Sequence, residues 1–362
     1  VIKGRATAQA SADYAARFHA LPNHFRPFLG ILSSSIGFGT YLGSDDESDD
    51  EAYAQALKVA ILGGINLVDS AINYRLQRSE RVIGQILAQL TADAGLKREQ
   101  VIIATKGGFV PFGGNPSREI EERFIRTGLI EPDEWVESCH CIAPAYLEAM
   151  LEMSRRNLGL ETIDVYYVHN PEIQLTAVDR SEFRRRMRAA FELLERKVSE
   201  QKIAVYGTAT WGGYRVAPDA QEYLSLEEMV QLAHEVAGHN HHFKVIQLPY
   251  NLAMPEALMR ANQQVAGRAM TLLEAARALD VAVCTSAALL QGRLAHGLPS
   301  RLRAAFAGLR TDAQRALQFV RSTAGVDVAL VGMRSVAHVR ENLETAAQAP
   351  LSPEEFAALF AE

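Results

Sequence analysis

Eight alternations of a short apolar run with an amphipathic helix, carried by one chain of 362 residues, predict an α/β fold, a closed (β/α)8 TIM barrel. Two further observations favour it over an open, doubly wound sheet. No linker divides the repeats, and no glycine-rich dinucleotide fingerprint follows an early strand with an acid about twenty residues later. The expected organisation is one barrel domain over residues 1–362. It carries an N-terminal extension (1–28), a long inserted substrate loop after strand three (107–143) and a C-terminal tail (346–362).

The elements follow in order. The β-branched residues and glycines of Ile31 to Thr40 read as one or two short strands ending near Gly37 and Gly39. An acidic run, Asp45 to Glu51, suits the positive end of the next helix better than a cation site, and Tyr53, Ala56, Leu57, Ala60 and Ile61 supply its apolar face before Gly63 and Gly64. LVDSA is the second strand; Ser79 is the expected N-cap of a helix faced by Val82, Ile83, Ile86, Leu87 and Leu90. VIIATKGG is the third strand. Pro144 opens, and Gly159 stops, a helix with Leu147, Met150, Leu151 and Leu158 inward. Strands four to eight are IDVYYVHNPE, AVYGTATW, VIQLPYNL, VAVCTSAAL and VALVGM, with apolar-faced helices between them and a last helix from about Ser335.

Composition narrows the class. Hydrophobic residues are 48% and charged residues 22%, as in ordinary globular proteins. A net charge of −6 argues against general nucleic-acid affinity. Cys139, Cys141 and Cys284 form no disulfide framework, so a reducing, cytoplasmic compartment is expected. No apolar run approaches the ~18 residues of a membrane span, and no secretory signal is visible. The oligomeric state is not encoded legibly.

In such a barrel the chemistry gathers at the C-terminal ends of the strands. Asp69, Lys106 and His169 end strands two, three and four, and Tyr74 lies in the loop after strand two. A tyrosine hydroxyl titrates near ~10 in water, so proton transfer near neutrality is expected to draw on a neighbouring ammonium that lowers that value. A buried lysine requires a carboxylate partner, which Asp69 supplies, and His169 can orient a substrate carbonyl.

With this constellation the chain resembles the aldo-keto reductases over roughly residues 35 to 345. DSAINY followed by SERVIG is similar to the family's tyrosine segment, ATKGG to its lysine strand, DVYYVHNPE to its histidine strand and QLPYNL to a nicotinamide-contacting strand. The resemblance implies a catalytic tetrad of Asp69, Tyr74, Lys106 and His169, with Tyr250 stacked on a nicotinamide and Gln247 bonded to its carboxamide. It also implies NADP(H) rather than NAD(H), because GMRSVAHVREN offers Gly332, Arg334, Ser335, His338, Glu341 and Asn342 to an adenosine phosphate. Two departures stand out: Ala209-Thr210 replaces the usual Ser-Asn, with Thr210 still able to bond an amide, and Ser286-Ala287-Ala288 replaces Ser-Pro-Leu, with Gln291 and Gly292 beyond. Phe109, Trp135, Trp211 and Tyr214 are the expected pocket walls for a small carbonyl or alcohol substrate.

The implied activity is NADPH-dependent hydride transfer to an aldehyde or ketone, reversibly alcohol oxidation, with Tyr74 as general acid. The two departures keep open a dinucleotide-binding regulatory barrel with little turnover; a further alternative is a non-redox isomerase or lyase that has kept the tetrad and lost the dinucleotide. Three other signals are read as structural. Cys139-His140-Cys141 lacks zinc-ligand spacing, the His239–His242 tract falls on the bottom face, and Arg184, Arg185, Arg186 and Arg188 read as a solvated helix face. No metal is expected.

Overall fold

The period-two alternation of a strand decides which side chains enter the barrel, and eight parallel strands obey it. The structure, a computed structural model, describes residues 1–306 and 308–360; Ala307 and the end of the expected tail, Ala361 and Glu362, lie outside the described residues. The strands are Ile36–Gly39, Leu67–Asp69, Ile102–Gly107, Ile163–His169, Ile203–Ala209, Phe243–Pro249, Ala282–Ser286 and Val328–Gly332, closed in that order with the last paired to the first. The predicted (β/α)8 barrel is the observed fold.

Leu67, Ile102, Ala104, Val165, Tyr167, Val245, Cys284, Val328 and Leu330 fill the interior. Two-residue steps from this set reach Asp69, Lys106, His169 and Gln247. The register pairs Gly39 with Asp69, Lys106 with Tyr167, and His169 with Ala209, which pairs in turn with Gln247. Alternation and register thus deliver the polar groups to one open rim. The opposite faces of the strands pack on the helices in a larger core containing Ile103, Tyr166, Val168, Leu147 and Leu151.

The expected extension closes the other rim. A helix, Ala8–Ala15, precedes an antiparallel hairpin of Phe25–Phe28 and Ile31–Ser34, and Phe28 joins the interior cluster from below. His24 bridges Ser35 and the carbonyl of Gly64. Asp164 accepts from the Ala6 amide at 2.7 Å, the Ile103 amide at 2.8 Å and Arg98 at 2.6 Å. This floor is polar, and both oxygens of its Asp164 carboxylate are engaged.

Three expectations about local structure change. Ser79 does not cap its helix: Arg75, Leu76 and Gln77 all adopt left-handed φ, the helix Arg78–Asp93 starts from Gln77, and the buried Ser79 hydroxyl donates to the Thr40 carbonyl at 3.0 Å. The left-handed run turns Arg75 back onto the Ser44 and Asp46 carbonyls and Asp50. The 107–143 insertion is not wholly irregular; Ile120, Phe124 and Ile130 form a satellite core with Ile72, Tyr146 and Met150. In the arginine run, Arg186 is buried rather than solvated, while Arg184, Arg185 and Arg188 pair with surface carboxylates. Glu47–Gly63 starts at an Asp46 cap, as the acidic run implied, and ends on left-handed Gly64. Among the described residues no helix is long and apolar enough to cross a membrane.

Arg321, fully buried and without a carboxylate partner among the described residues, ties these parts together. Its guanidinium donates to Ser35 Oγ at 2.7 Å, Gln318 Oε1 at 3.0 Å and the Gln348 carbonyl at 2.7 Å, beyond the helix Val336–Ala346. Replacement with Met strands those acceptors. The variant is expected to lose about 3 kcal/mol of unfolding free energy in urea; a loss below about 0.5 kcal/mol would contradict the assignment.

Candidate active site

Lys106 sits at the centre of the open rim with no exposed surface. Its Nζ donates to Asp69 Oδ1 at 2.6 Å and to the Ser70 carbonyl at 2.7 Å, and Gln247 Nε2 donates to Asp69 Oδ2 at 2.8 Å. Both carboxylate oxygens are therefore engaged. The ammonium lies 5.1 Å from the Tyr74 ring centroid. Tyr74 stands half-buried above it, edge-on to Tyr41 at 5.0 Å and to His169 at 5.9 Å. Phe109 meets the far edge of His169 at 4.9 Å.

Burial governs the protonation states. It pushes the Tyr74 phenol well above its ordinary value, with Asp69 and Tyr41 acting in the same direction. The lowering expected from Lys106 is not among the causes, and the phenol is held protonated. Burial also lowers Lys106, against the pull of Asp69. His169 is driven well below its usual range by burial, then by Lys106 and His140, so its imidazole is neutral at pH 7. His169 Nδ1 has no partner among the described residues.

A cleft of about 1380 Å³ opens from these groups across the rim. Of the expected cofactor residues, Thr210, Gln247, Ser286, Gly292, Gly332, Arg334, His338, Glu341 and Asn342 line it. The Thr210 hydroxyl is buried and unpartnered among the described residues. Ser335 instead caps the following helix, its Oγ accepting from the His338 amide. Tyr250 departs from expectation. It stands three residues past Gln247, so alternation turns it out of the barrel, where its ring stacks on Phe319 at 5.8 Å and its hydroxyl meets Thr323 at 3.0 Å. It lies outside the cleft.

Of the expected pocket walls, Phe109 and Trp211 line the cleft, and Trp211 is 49% exposed. Trp135 packs towards Tyr146 in the satellite core, and Tyr214 is buried with its hydroxyl 2.7 Å from Thr208 Oγ1. Neither reaches the cleft. Sequence reading missed Tyr41, Asn73 and Asn170, all lining residues just past strand ends. It also missed Glu172, whose buried Oε1 accepts from the amides of Trp211 at 2.8 Å, Gly212 at 3.1 Å and Gly213 at 3.4 Å. That carboxylate fixes the loop carrying Trp211. The signal was present, an acid three residues after a strand-ending histidine, but carboxylate-to-amide pairing between loops has no spacing rule.

Comparison with known proteins accords with this geometry. The chain is 28% identical over 148 residues to prostaglandin F synthase 1 of Bos taurus, a match covering 41% of this chain and 33% of that protein. It is 30% identical over 144 residues to an oxidoreductase of Schizosaccharomyces pombe, 38% of each. The matched stretch thus spans about a third of the curated relatives' length. An aldo/keto reductase of Klebsiella pneumoniae solved with NADP and acetate superposes with TM-score 0.62, 23% identity and 91% coverage of both chains. The glycerol dehydrogenase of Gluconobacter oxydans gives 0.63 at 20% identity, covering 93% of this chain and 94% of that one. These likenesses bear on the fold. The model of the "Aldo/keto reductase family" matches residues 35–297, and the chain belongs to that family.

Proposed function

We propose that this protein is an NADPH-dependent oxidoreductase that reduces the carbonyl of an aldehyde or ketone, with Tyr74 as proton donor. The buried Lys106–Asp69 pair beneath a protonated Tyr74, with neutral His169 beside it, carries the reading. The fit of a dinucleotide rests on the Thr210 hydroxyl, unpartnered among the described residues, and on four cleft arginines interspersed with Asp312 and Glu341. Arg303, Arg310, Arg315 and Arg334 line the part beside strands seven and eight. Arg334, 53% exposed and 3.1 Å from Asp49, is the residue we assign to a 2′-phosphate, in preference to NADH.

When bound, reduced nicotinamide supplies the hydride taken up by the carbonyl carbon. The protein's residues manage the oxygen. His169 offers a neutral ring N–H that holds the oxygen without surrendering its proton, and Tyr74 donates the phenolic proton as negative charge develops there. Lys106 then stands close to the phenolate face, where each unit of tyrosine pKa recovered corresponds to ~1.4 kcal/mol. Asp69 and Gln247 keep the ammonium from moving. Tyr41, Phe109 and Trp211, from the loops after strands one, three and five, give the substrate end aromatic walls, which suit a partly apolar carbonyl compound.

Steady-state turnover on a panel of aromatic and aliphatic aldehydes and ketones tests the reading. NADPH is expected to be consumed, with kcat/KM exceeding that with NADH by about tenfold or more. Binding of NADPH without consumption across the panel would overturn it.

The pKa directions set the pH dependence. Tyr74 is raised, so its acid form persists into the alkaline range; His169 is lowered, so it stays neutral down through mildly acidic pH. Reductive kcat is expected to be flat from about pH 6 to 9. A fall centred near pH ~7 would show that a group with an ordinary histidine pKa controls the reaction.

A further inference from the structure

The histidine of the Cys139-His140-Cys141 segment lies fully buried behind the site. Its Nε2 is 2.6 Å from the carbonyl oxygen of His169, and its Nδ1 is 2.9 Å from Nε2 of Gln174. Gln174 Oε1 in turn accepts from Arg186 Nη1 at 2.8 Å. The direction of this chain is fixed at both ends. A guanidinium can only donate, so Gln174 presents its oxygen to Arg186 and its NH2 to His140; Nδ1 of His140 is then an acceptor. A carbonyl can only accept, so Nε2 carries the proton. The two ends demand the same tautomer, and neither an amide flip nor the other tautomer satisfies them.

Two more features converge on this contact. Gly108, at φ +143°, leaves the space it uses: a Cβ there would lie 2.9 Å from His140 Nε2 and 2.9 Å from the His169 carbonyl. Phe109 packs edge-on against both His140 at 5.1 Å and His169 at 4.9 Å. Backbone bridges from His140 to Phe109 and Val136 seat the histidine, and Arg186 is held by Glu182 at 2.8 Å and Asp133 at 3.3 Å.

We infer that His140 is a positioning residue, which sets the backbone and ring of His169 against the substrate carbonyl in a tautomer dictated by Gln174 and Arg186. This rests on the proposed role of His169 in carbonyl reduction. Part of the 107–143 insertion therefore serves the catalytic end of strand four rather than the substrate. Burial holds His140 down to about 4, against the opposing pull of the His169 carbonyl, which agrees with a neutral ring.

The test combines kinetics with 15N NMR of histidine-labelled full-length protein. In the wild type, His140 is expected to show a protonated Nε2 and a bare Nδ1. His140→Leu is expected to lower kcat about 10- to 100-fold with NADPH affinity, read by fluorescence quenching, within about twofold. His140→Gln, which can restore an N–H to the carbonyl, is expected to recover about half of that loss on a logarithmic scale. The His169 ring resonances are expected to shift in His140→Leu and to return towards wild type in His140→Gln. Should His140→Leu fail to fold, Gln174→Leu is expected to mobilise the His140 tautomer and lower kcat in the same direction. A proton on Nδ1 in the wild type overturns the inference, as does an active His140→Leu with kcat within about threefold of wild type. A wild type that consumes no NADPH strikes the proposed function instead, and the NMR result then decides the His140 assignment alone.

Discussion

A lysine with no exposed surface, at the mouth of a barrel, imposes the condition that the rest of this site satisfies. Desolvating an ammonium costs several kcal/mol unless the partner geometry is close and complete. Here it is complete: Asp69 faces Lys106 at 2.6 Å, the Ser70 carbonyl takes a second proton, and Gln247 closes the remaining carboxylate oxygen. Removal of one partner leaves an uncompensated buried charge, typically worth about 3–5 kcal/mol. The pair therefore ties together the ends of strands two, three and six across the mouth of the barrel. Tyr74 and His169 stand against that fixed charge.

The support for Tyr74 and His169 is asymmetric. Tyr74 is placed by a left-handed turn, Arg75 to Gln77, whose arginine anchors it to the loop after strand one. His169 is placed by strand four and by His140 of the insertion, which Gln174 holds in turn. Glu172 on the same strand-four loop orders the strand-five loop that carries Trp211. One loop thus adjoins both His169 and the loop of Trp211. A change near residues 170–174 would be felt at both places.

Much of this was legible in the sequence because it follows from periodicity. Eight apolar runs, the glycine stops at Gly64 and Gly159, and polar residues at strand ends require only local rules, and the structure agrees with them. Tyr250 was misplaced although the same rule excludes it: Gln247 and Tyr250 differ by three, so a strand cannot turn both inward. Trp135 and Tyr214 were assigned to the pocket because they lie in the loops after strands three and five, but packing, not loop membership, decides which way an aromatic faces. Ser79, Arg186 and His140 were read as a cap, a surface charge and a discounted ligand. Their partners lie 39, 12 and 29 residues away, at Thr40, Gln174 and His169, beyond the reach of any spacing argument.

The central claim is that Tyr74 moves the proton while the Lys106–Asp69 pair supports it. Its most direct test is single-turnover reduction, by rapid mixing of the NADPH complex of Tyr74→Phe with a carbonyl substrate that the wild type accepts. Unchanged NADPH affinity and a chemical step slowed by about 100-fold or more are expected. Hydride transfer at the wild-type rate in that variant would contradict the claim.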